Sequence, residues 1–366
     1  MKRYIIAFFI IITFSQYRIQ AQGCVAIRSM GNSCSLGKPG EDKGWQLNLN
    51  NRYFRSHKHF VGKEEQKERE TNHTEVINYS YALDITGTRY FNSRWSMAFT
   101  LPILANSRSS LYEHGGNSAG PTARHSTGSF GIGDLRLAVY HWLLDPSKHH
   151  KGNLQAGVGI KLPTGDYRYQ DYFFRKTSAG ADTAILGPVD QSIQLGDGGT
   201  GFTVELNGYY AFSPHLSFYG NSYYLVNPRE QNGVSTARGS APSATATQFF
   251  FSTMSVPDQY MVRGGLNYMA GKFNFSGGIR VEGIPSSDLL GGDKGFRRPG
   301  YVISAEPVAS YSTRKVNYYV SVPVALERNR TQSYSDKLRT ASTGTKVHGD
   351  AAFADYFINA GVTFRL

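Results

Sequence analysis

Two histidine patterns in the chain have the residue types that hydrolytic or metal chemistry uses. His125-Ser126 has a base next to a nucleophile, but neighbouring strand residues point to opposite faces and a nucleophile must lie within hydrogen-bond reach of its base. His57-x-His59 with His73 is a weak metal pattern, because histidines on exposed loops are usually solvated. The sequence therefore predicts no catalytic residue, no metal site and no cofactor.

Charged side chains recur at alternate positions of extended segments. In a strand, successive side chains lie on opposite faces, so every second residue shares a surface. Val362, Phe364 and Leu366 fall on one face of the last segment, and Thr363 and Arg365 on the other. If the apolar faces meet lipid, the charged alternates line a lumen and form a candidate solute pathway. These predicted lumen residues are Arg52, Asp84, Arg136, Lys161, Glu205, Arg263, Arg280, Glu306, Glu327 and Arg365.

The predicted lumen is nearly balanced in charge. With Asp134, Glu282 and Asp355 included, the inward face carries six basic and seven acidic side chains. A pore selective for anions or cations would show one prevailing sign. The balance indicates a narrow lumen braced by ion pairs, or a small polar pathway past them.

Twelve strands are needed to position these side chains. Composition favours an all-β chain, with 40 glycines, 24 tyrosines and 22 phenylalanines. The strand number is even, and the lengths are close to the roughly 9–11 residues of a tilted membrane strand. The alternation predicts strands at 44–55, 75–90, 94–104, 129–143, 152–162, 201–212, 215–227, 258–270, 272–284, 300–312, 316–328 and 352–366.

Short and long connections alternate along the chain. Short ones lie at 91–93, 145–151, 213–214, 271 and 313–315, and long ones at 56–74, 105–128, 163–200, 228–257, 285–299 and 329–351. This asymmetry is typical of an up-and-down transmembrane barrel with short periplasmic turns and long outer loops. Loop 163–200 is the best candidate to fold inward as a constriction. A soluble all-β protein is the structural alternative, and Pro307, inside a predicted strand, predicts a local bulge.

The N-terminus predicts export. Residues 1–21 have the layout of a secretory signal peptide, with Lys2 and Arg3 before a short apolar stretch. A periplasmic segment, 22–43, precedes the barrel domain, 44–366. A disulfide between Cys24 and Cys34 is favoured in an oxidising compartment, and lipid modification of Cys24 is the alternative.

Two motifs carry a family resemblance. Gly131-Ile132-Gly133-Asp134-Leu135-Arg136, together with 159–166 (GIKLPTGD), resembles a family of bacterial outer-membrane transporters named after the meta-pathway of phenol degradation. Residues 295–300 (GFRRPG) are similar to members from the Bacteroidetes. The resemblance covers about 40 residues around 128–166. It implies a barrel that admits small, hydrophobic or aromatic molecules.

The predicted function is passive passage of small molecules across the outer membrane of a Gram-negative bacterium. A lipid-active barrel enzyme and a structural or adhesive barrel with a closed lumen are the alternatives. The formal charge of +12 must lie mainly in loops and turns. Lys294, Arg297 and Arg298 are candidates to meet lipopolysaccharide phosphates, and an ordinary solvated surface is the default alternative. Export, and the lack of a basic stripe on one element, argue against nucleic acid as a partner.

Overall fold

The chain forms a closed antiparallel barrel of twelve strands, as the period-two pattern predicts. The computed structural model describes residues 43–111, 124–177 and 181–366. The barrel closes where the first and last strands pair, with Leu47 opposite Phe364. The strands are β1 Gly44–Val61, β2 Glu64–Glu65, β3 Ile77–Tyr90, β4 Trp95–Ser110, β5 His125–Ile132, β6 Leu135–Trp142, β7 Gly152–Leu162, β8 Gln170–Lys176, β9 Asp182–Pro188, β10 Gly201–Ala211, β11 Leu216–Val226, β12 Gln231–Ser235, β13 Thr253–Ser255, β14 Gln259–Ala270, β15 Phe273–Ile284, β16 Gly300–Ser312, β17 Val316–Ser321, β18 Val324–Arg330 and β19 Ala351–Arg365.

Ten barrel strands are continuous and two are broken. β5 and β6 follow each other along β4, and β17 and β18 follow each other along β16. Outside the wall, β8 pairs with β9 and β12 with β13. The helices are short: α1 Lys67–Thr71, α2 Ala244–Gln248, α3 Tyr334–Thr343 and a 3₁₀ turn at Gln191–Ile193. Among the described residues, no helix has the length and apolar character to cross a membrane.

The barrel exposes apolar side chains on its outside and buries polar ones inside. Val158, Val204 and Val262 are more than half exposed, whereas Glu205 and Lys161 on the same wall are 1% exposed. A soluble protein has the opposite arrangement, because exposed apolar area costs free energy in water. An apolar outer belt on a closed barrel is the requirement for a bilayer.

Several strands differ from the predicted bounds. β1 runs to Val61 and β4 to Ser110, so these strands project beyond the predicted ends at 55 and 104. The strand predicted at 129–143 begins at His125 and is interrupted at 133–134. The strand predicted at 316–328 is interrupted at 322–323. Alternation continues past the lipid-facing region, so hydrophobicity alone ends a strand too early.

The bulge predicted at Pro307 is absent, and the irregularity is found on the neighbouring strand, in the gap that contains Pro323. Pro307 pairs with Gly277 of β15 in an unbroken register. On its other side it faces the gap between β17 and β18, where the Val322 amide donates to the Pro307 carbonyl at 3.1 Å. Because proline has no N–H to donate, the strand beside it breaks.

Candidate functional site: a lumen closed by an inward loop

The first group of lumen charges lies on β1, β3, β6 and β7. Arg52 and Asp84 form an ion pair at 3.6 Å, with side chains 9% and 10% exposed. Arg136 donates to the Tyr223 hydroxyl at 3.3 Å. Lys161 lies 3.8 Å from the carboxylate of Asp134.

A second group lies farther round the barrel, on β10 and on β14 to β16. Arg263 and Arg280 both contact Glu306, at 3.2 and 3.8 Å. Arg280 also pairs with Glu282 at 2.8 Å. Glu205 accepts a hydrogen bond from the Tyr140 hydroxyl at 3.1 Å. Buried charges are stable only when paired and hydrogen-bonded, and these contacts supply that pairing.

One predicted lumen residue was assigned to the wrong face. In β18, Ala325 lies opposite Ser304 and Glu327 lies opposite Ile303, so one extra residue forms a bulge at Leu326. The bulge reverses the parity that follows it. Glu327 therefore lies on the outer face, where it contacts Lys63 at 2.6 Å.

Arg365 lies at the opposite end of the barrel from these two groups. It is aligned with Gln46 of β1, and its backbone amide donates to the Lys315 carbonyl at 2.8 Å. Its side chain is in none of the ion pairs found among the described residues. Of the ten predicted lumen residues, eight therefore lie in the two groups of the barrel interior.

Loop 163–200 folds into the barrel, as predicted. We call residues 189–197 the inward segment. The Ser192 hydroxyl donates to Asn78 Oδ1 of β3 at 3.3 Å, and the Ser129 hydroxyl of β5 donates to the Ile193 carbonyl at 2.5 Å. Leu195 packs against the lumen-facing side chains Ala82 and Leu104.

A single carboxylate connects the inward segment to the wall and two other loops. Asp190 accepts hydrogen bonds from both terminal nitrogens of Arg298, at 2.9 Å each. Arg238 donates to the same carboxylate at 2.9 Å, and Arg108 of β4 lies 3.9 Å away. The carboxylate also caps the 3₁₀ turn through the Ser192 amide at 2.9 Å. Burial would raise the pKa of Asp190, but the three guanidinium groups hold it well below its usual range.

The two motifs that carry the family resemblance, 131–136 and 159–166, lie where loop 163–200 leaves the barrel wall. Asp134 follows β5 and accepts from the amides of Gly165 at 3.0 Å and Asp197 at 3.2 Å. A Cβ on Gly196 would lie 2.4 Å from Asp134 Oδ1, and one on Gly165 would lie 2.5 Å from the Leu195 carbonyl oxygen. Only glycine allows this close approach. The motifs thus hold the inward segment against the wall.

Little space remains between the inward segment and the wall. A cavity of about 150 Å³ is lined by wall residues such as Arg52 and Arg136 and by Gln191 and Leu195 of the segment. Sites for organic ligands usually enclose roughly 300–1,000 Å³. This cavity is smaller than a usual site for an organic solute.

An aromatic depression of about 490 Å³ lies on the outside of the barrel near its loop end. Tyr53, Tyr79 and Tyr81 line it from β1 and β3, and Phe130 of β5 and Tyr169 complete it. The three strand tyrosines are 38–43% exposed and Phe130 is 68% exposed. Rings of this kind bind apolar and aromatic molecules through their faces and edges.

The residues that hold the inward segment were missed at the sequence level. Asp190, Arg108 and Arg238 lie within predicted loops, where period-two alternation carries no information. Arg298 was predicted to meet lipid phosphates but binds Asp190 instead. Arg297 is also buried, in an ion pair with Asp288 at 2.8 Å. Only Lys294 of that trio is exposed, so contact with lipopolysaccharide stays a prediction.

The histidine patterns have other partners. His125 stacks on Phe174 at 4.0 Å, while Ser126 is exposed in the alternate position of β5. His59 lies between Asp350 at 2.7 Å and the Val76 amide at 2.9 Å. No group of three or more potential metal ligands occurs within 43–111, 124–177 and 181–366.

The predictions for the N-terminus concern residues outside the described part of the chain. They are the signal peptide, the periplasmic segment 22–43 except Lys43, and the disulfide or lipid modification of Cys24 and Cys34. They stay predictions.

The fold is similar to that of solved outer-membrane barrels. An outer-membrane channel from Pseudomonas putida F1 has a TM-score of 0.57 at 10% identity, over 93% of this chain and 100% of the other. The monoaromatic hydrocarbon channel CymD has a TM-score of 0.45 at 9% identity, over 94% of this chain and 98% of its own. The P. putida toluene transporter TodX has a TM-score of 0.40 at 10% identity, over 88% and 89%. No family model and no curated protein matches the chain. The chain is an outer-membrane β-barrel by fold.

Proposed function

We propose that this barrel is an outer-membrane channel for passive uptake of small molecules, and that the inward segment closes it. The observation that carries the proposal is the closure itself. A loop lies inside a membrane barrel, where Leu195 packs against the wall residues Ala82 and Leu104 and a cavity of about 150 Å³ separates the segment from the wall. The P. putida F1 protein with the same fold is an outer-membrane channel, which supports this assignment.

The contacts of the inward segment suit a part that moves. Its hydrogen bonds and ion pairs can be exchanged for water. Its buried apolar side chains are Val189, Ile193 and Leu195, so opening also exposes their apolar area. A purely structural barrel would have no need for a polar closure of this kind.

The proposed solutes are hydrophobic or aromatic. The resemblance to the meta-pathway transporter family supports this class, and so does the tyrosine-lined depression on the outer wall. A lipid-active enzyme is less well supported, because Ser126 and His125 occupy opposite faces and His59 Nε2 is occupied by the Val76 amide. We therefore assign no catalytic residue.

Single-channel conductance in planar bilayers tests the proposal. We expect the refolded wild-type barrel to conduct weakly, and Asp190→Asn to give larger and longer openings. The matched control is Asp336→Asn, which removes another buried, arginine-paired carboxylate from a different loop, one that contributes no partner to Asp190. The control should keep the wild-type conductance. If Asp190→Asn stays silent although its barrel is folded and heat-modifiable, the channel proposal is wrong.

A further inference from the structure

Positive charge is concentrated at the short-turn end of the barrel. We call this end the inner rim and define it by residues 43–45, 89–95, 141–153, 209–216, 268–274, 311–317 and 364–366. Within these ranges Asp145 is the only acidic side chain, and the C-terminal carboxylate of Leu366 is the other negative group. The basic side chains are Lys43, Arg89, Arg94, Lys148, Lys151, Lys272, Arg314, Lys315 and Arg365.

In the part of the chain that the structure describes, none of the inner-rim cations forms an ion pair with a carboxylate. Asp145 interacts electrostatically with Lys148 and Arg94, but only beyond ion-pair distance. Asp145 itself accepts from the Ser147 amide at 3.0 Å and the Ser147 hydroxyl at 2.7 Å. Arg94 is used by the turn, because it donates to the Trp142 and Leu143 carbonyls. Arg365 shares the inward face of β19 with Thr363, and the remaining inner-rim cations are available to an outside partner.

The positions of two of these cations show that the inner rim faces the lipid headgroups. The Arg89 guanidinium lies 5.5 Å from the ring centre of Trp45, and the Lys151 ammonium 5.4 Å from that of Tyr210. Trp45 is 52% and Tyr210 44% exposed on the outer wall. Exposed tryptophan and tyrosine mark the headgroup level of a membrane. The cations stacked on them therefore lie beside lipid headgroups rather than inside the lumen.

We propose that the inner rim binds the phosphate groups of anionic phospholipids in the inner leaflet. Each lysine or arginine near an anionic bilayer adds to the attraction toward its negative surface. An acidic periplasmic polymer would also meet positive charge. It would not explain why cations lie on lipid-facing rings. The inference rests on the membrane placement and not on transport, so it can fail or hold independently of the channel.

Tryptophan fluorescence reports on this surface selectively. All three tryptophans, Trp45, Trp95 and Trp142, belong to the inner rim, and Trp45 and Trp95 are 52% and 45% exposed. Quenching by brominated phosphatidylglycerol, measured against brominated phosphatidylcholine in mixed vesicles, gives the relative affinity for the two lipids. We expect the wild-type barrel to prefer phosphatidylglycerol by at least about tenfold. High salt should reduce the preference.

Matched variants separate the inner rim from general charge. The inner variant changes Lys148, Lys151, Arg314 and Lys315 to glutamine. The control changes four exposed lysines of the outer loops to glutamine, Lys67, Lys294, Lys337 and Lys346. We expect the preference to fall to about onefold in the inner variant and to be unchanged in the control. Equal quenching by both lipids in the wild type, or equal loss in both variants, would overturn the proposal. Heat-modifiable migration on a gel confirms that each variant is folded.

Discussion

The two ends of the barrel have similar basic side chains in different surroundings. At the outer end, arginine and lysine meet carboxylates: Arg297 with Asp288, Arg298 with Asp190, and Lys58 with Asp355 at 3.2 Å. At the inner rim, Arg89 and Lys151 stack on exposed aromatic rings, and no cation of the rim has a described carboxylate within ion-pair distance.

The difference shows how a net charge of +12 is distributed in a membrane barrel. A charge removed from water needs a partner, because the desolvation cost of an isolated ion exceeds the free energy available to most folds. The outer loops enter the lumen or pack on one another, so their buried arginines are paired within the chain. The inner-rim cations stay at the membrane surface, where lipid phosphates can act as partners.

Removing a carboxylate at the outer end should have the largest effect. Asp288 and Arg297 are both fully buried, so Asp288→Asn leaves a guanidinium without its counter-charge. Breaking a buried pair costs about 3–5 kcal/mol. Hydrogen exchange of residues 286–298 should therefore become at least a hundredfold faster. Unchanged exchange would show that this pair does not hold the loop.

A smaller effect, on ion selectivity, should distinguish Glu306, which lies in the lumen, from Glu327, which was wrongly predicted to lie there. Glu306 lies between Arg263 and Arg280, so Glu306→Gln should leave excess positive charge in the lumen and favour anions. Glu327→Gln should leave ion selectivity unchanged, because Glu327 lies on the outer face. Reversal potentials in a chloride gradient, measured in the Asp190→Asn background, check both results. An equal shift in both variants would contradict the bulge at Leu326.

The smallest effect concerns pH. The pKa of Asp190 is held well below its ordinary value of about 3.9. A carboxylate with a lowered pKa stabilises the folded contact above its unfolded pKa and loses that contribution as the pH falls through its folded pKa. We therefore expect conductance to be constant from pH 8 to about 4 and to rise only below it. A rise between pH 6 and 5 would mean that another group controls the closure.

The strands could be predicted because a membrane barrel imposes the same rule on every strand. Each outward residue meets lipid and each inward one meets the lumen, so Val158 and Lys161 can be assigned to faces by parity alone. A bulge breaks the rule. One extra residue at Leu326 moved Glu327 to the other face, and nothing in the local sequence marks that position.

The closure could be predicted only in outline. The length of loop 163–200 indicated an inward fold, but Asp190 meets Arg108, Arg238 and Arg298 only after three connections have folded. The two loop arginines, Arg238 and Arg298, lie 48 and 108 residues from Asp190 in the sequence. Such long-range pairing has no periodic signal in the sequence.

A reversible tether on the inward segment tests directly whether that segment closes the barrel. In an Asp190→Asn barrel with Cys24→Ser and Cys34→Ser, the substitutions Asn78→Cys and Ser192→Cys replace a contact of 3.3 Å by an oxidisable pair. Single-channel conductance is then recorded before and after reduction of the same preparation. We expect low conductance while the disulfide holds the segment inside the lumen, and large openings after the disulfide is reduced. The same conductance in both states would show that the inward segment does not close this barrel.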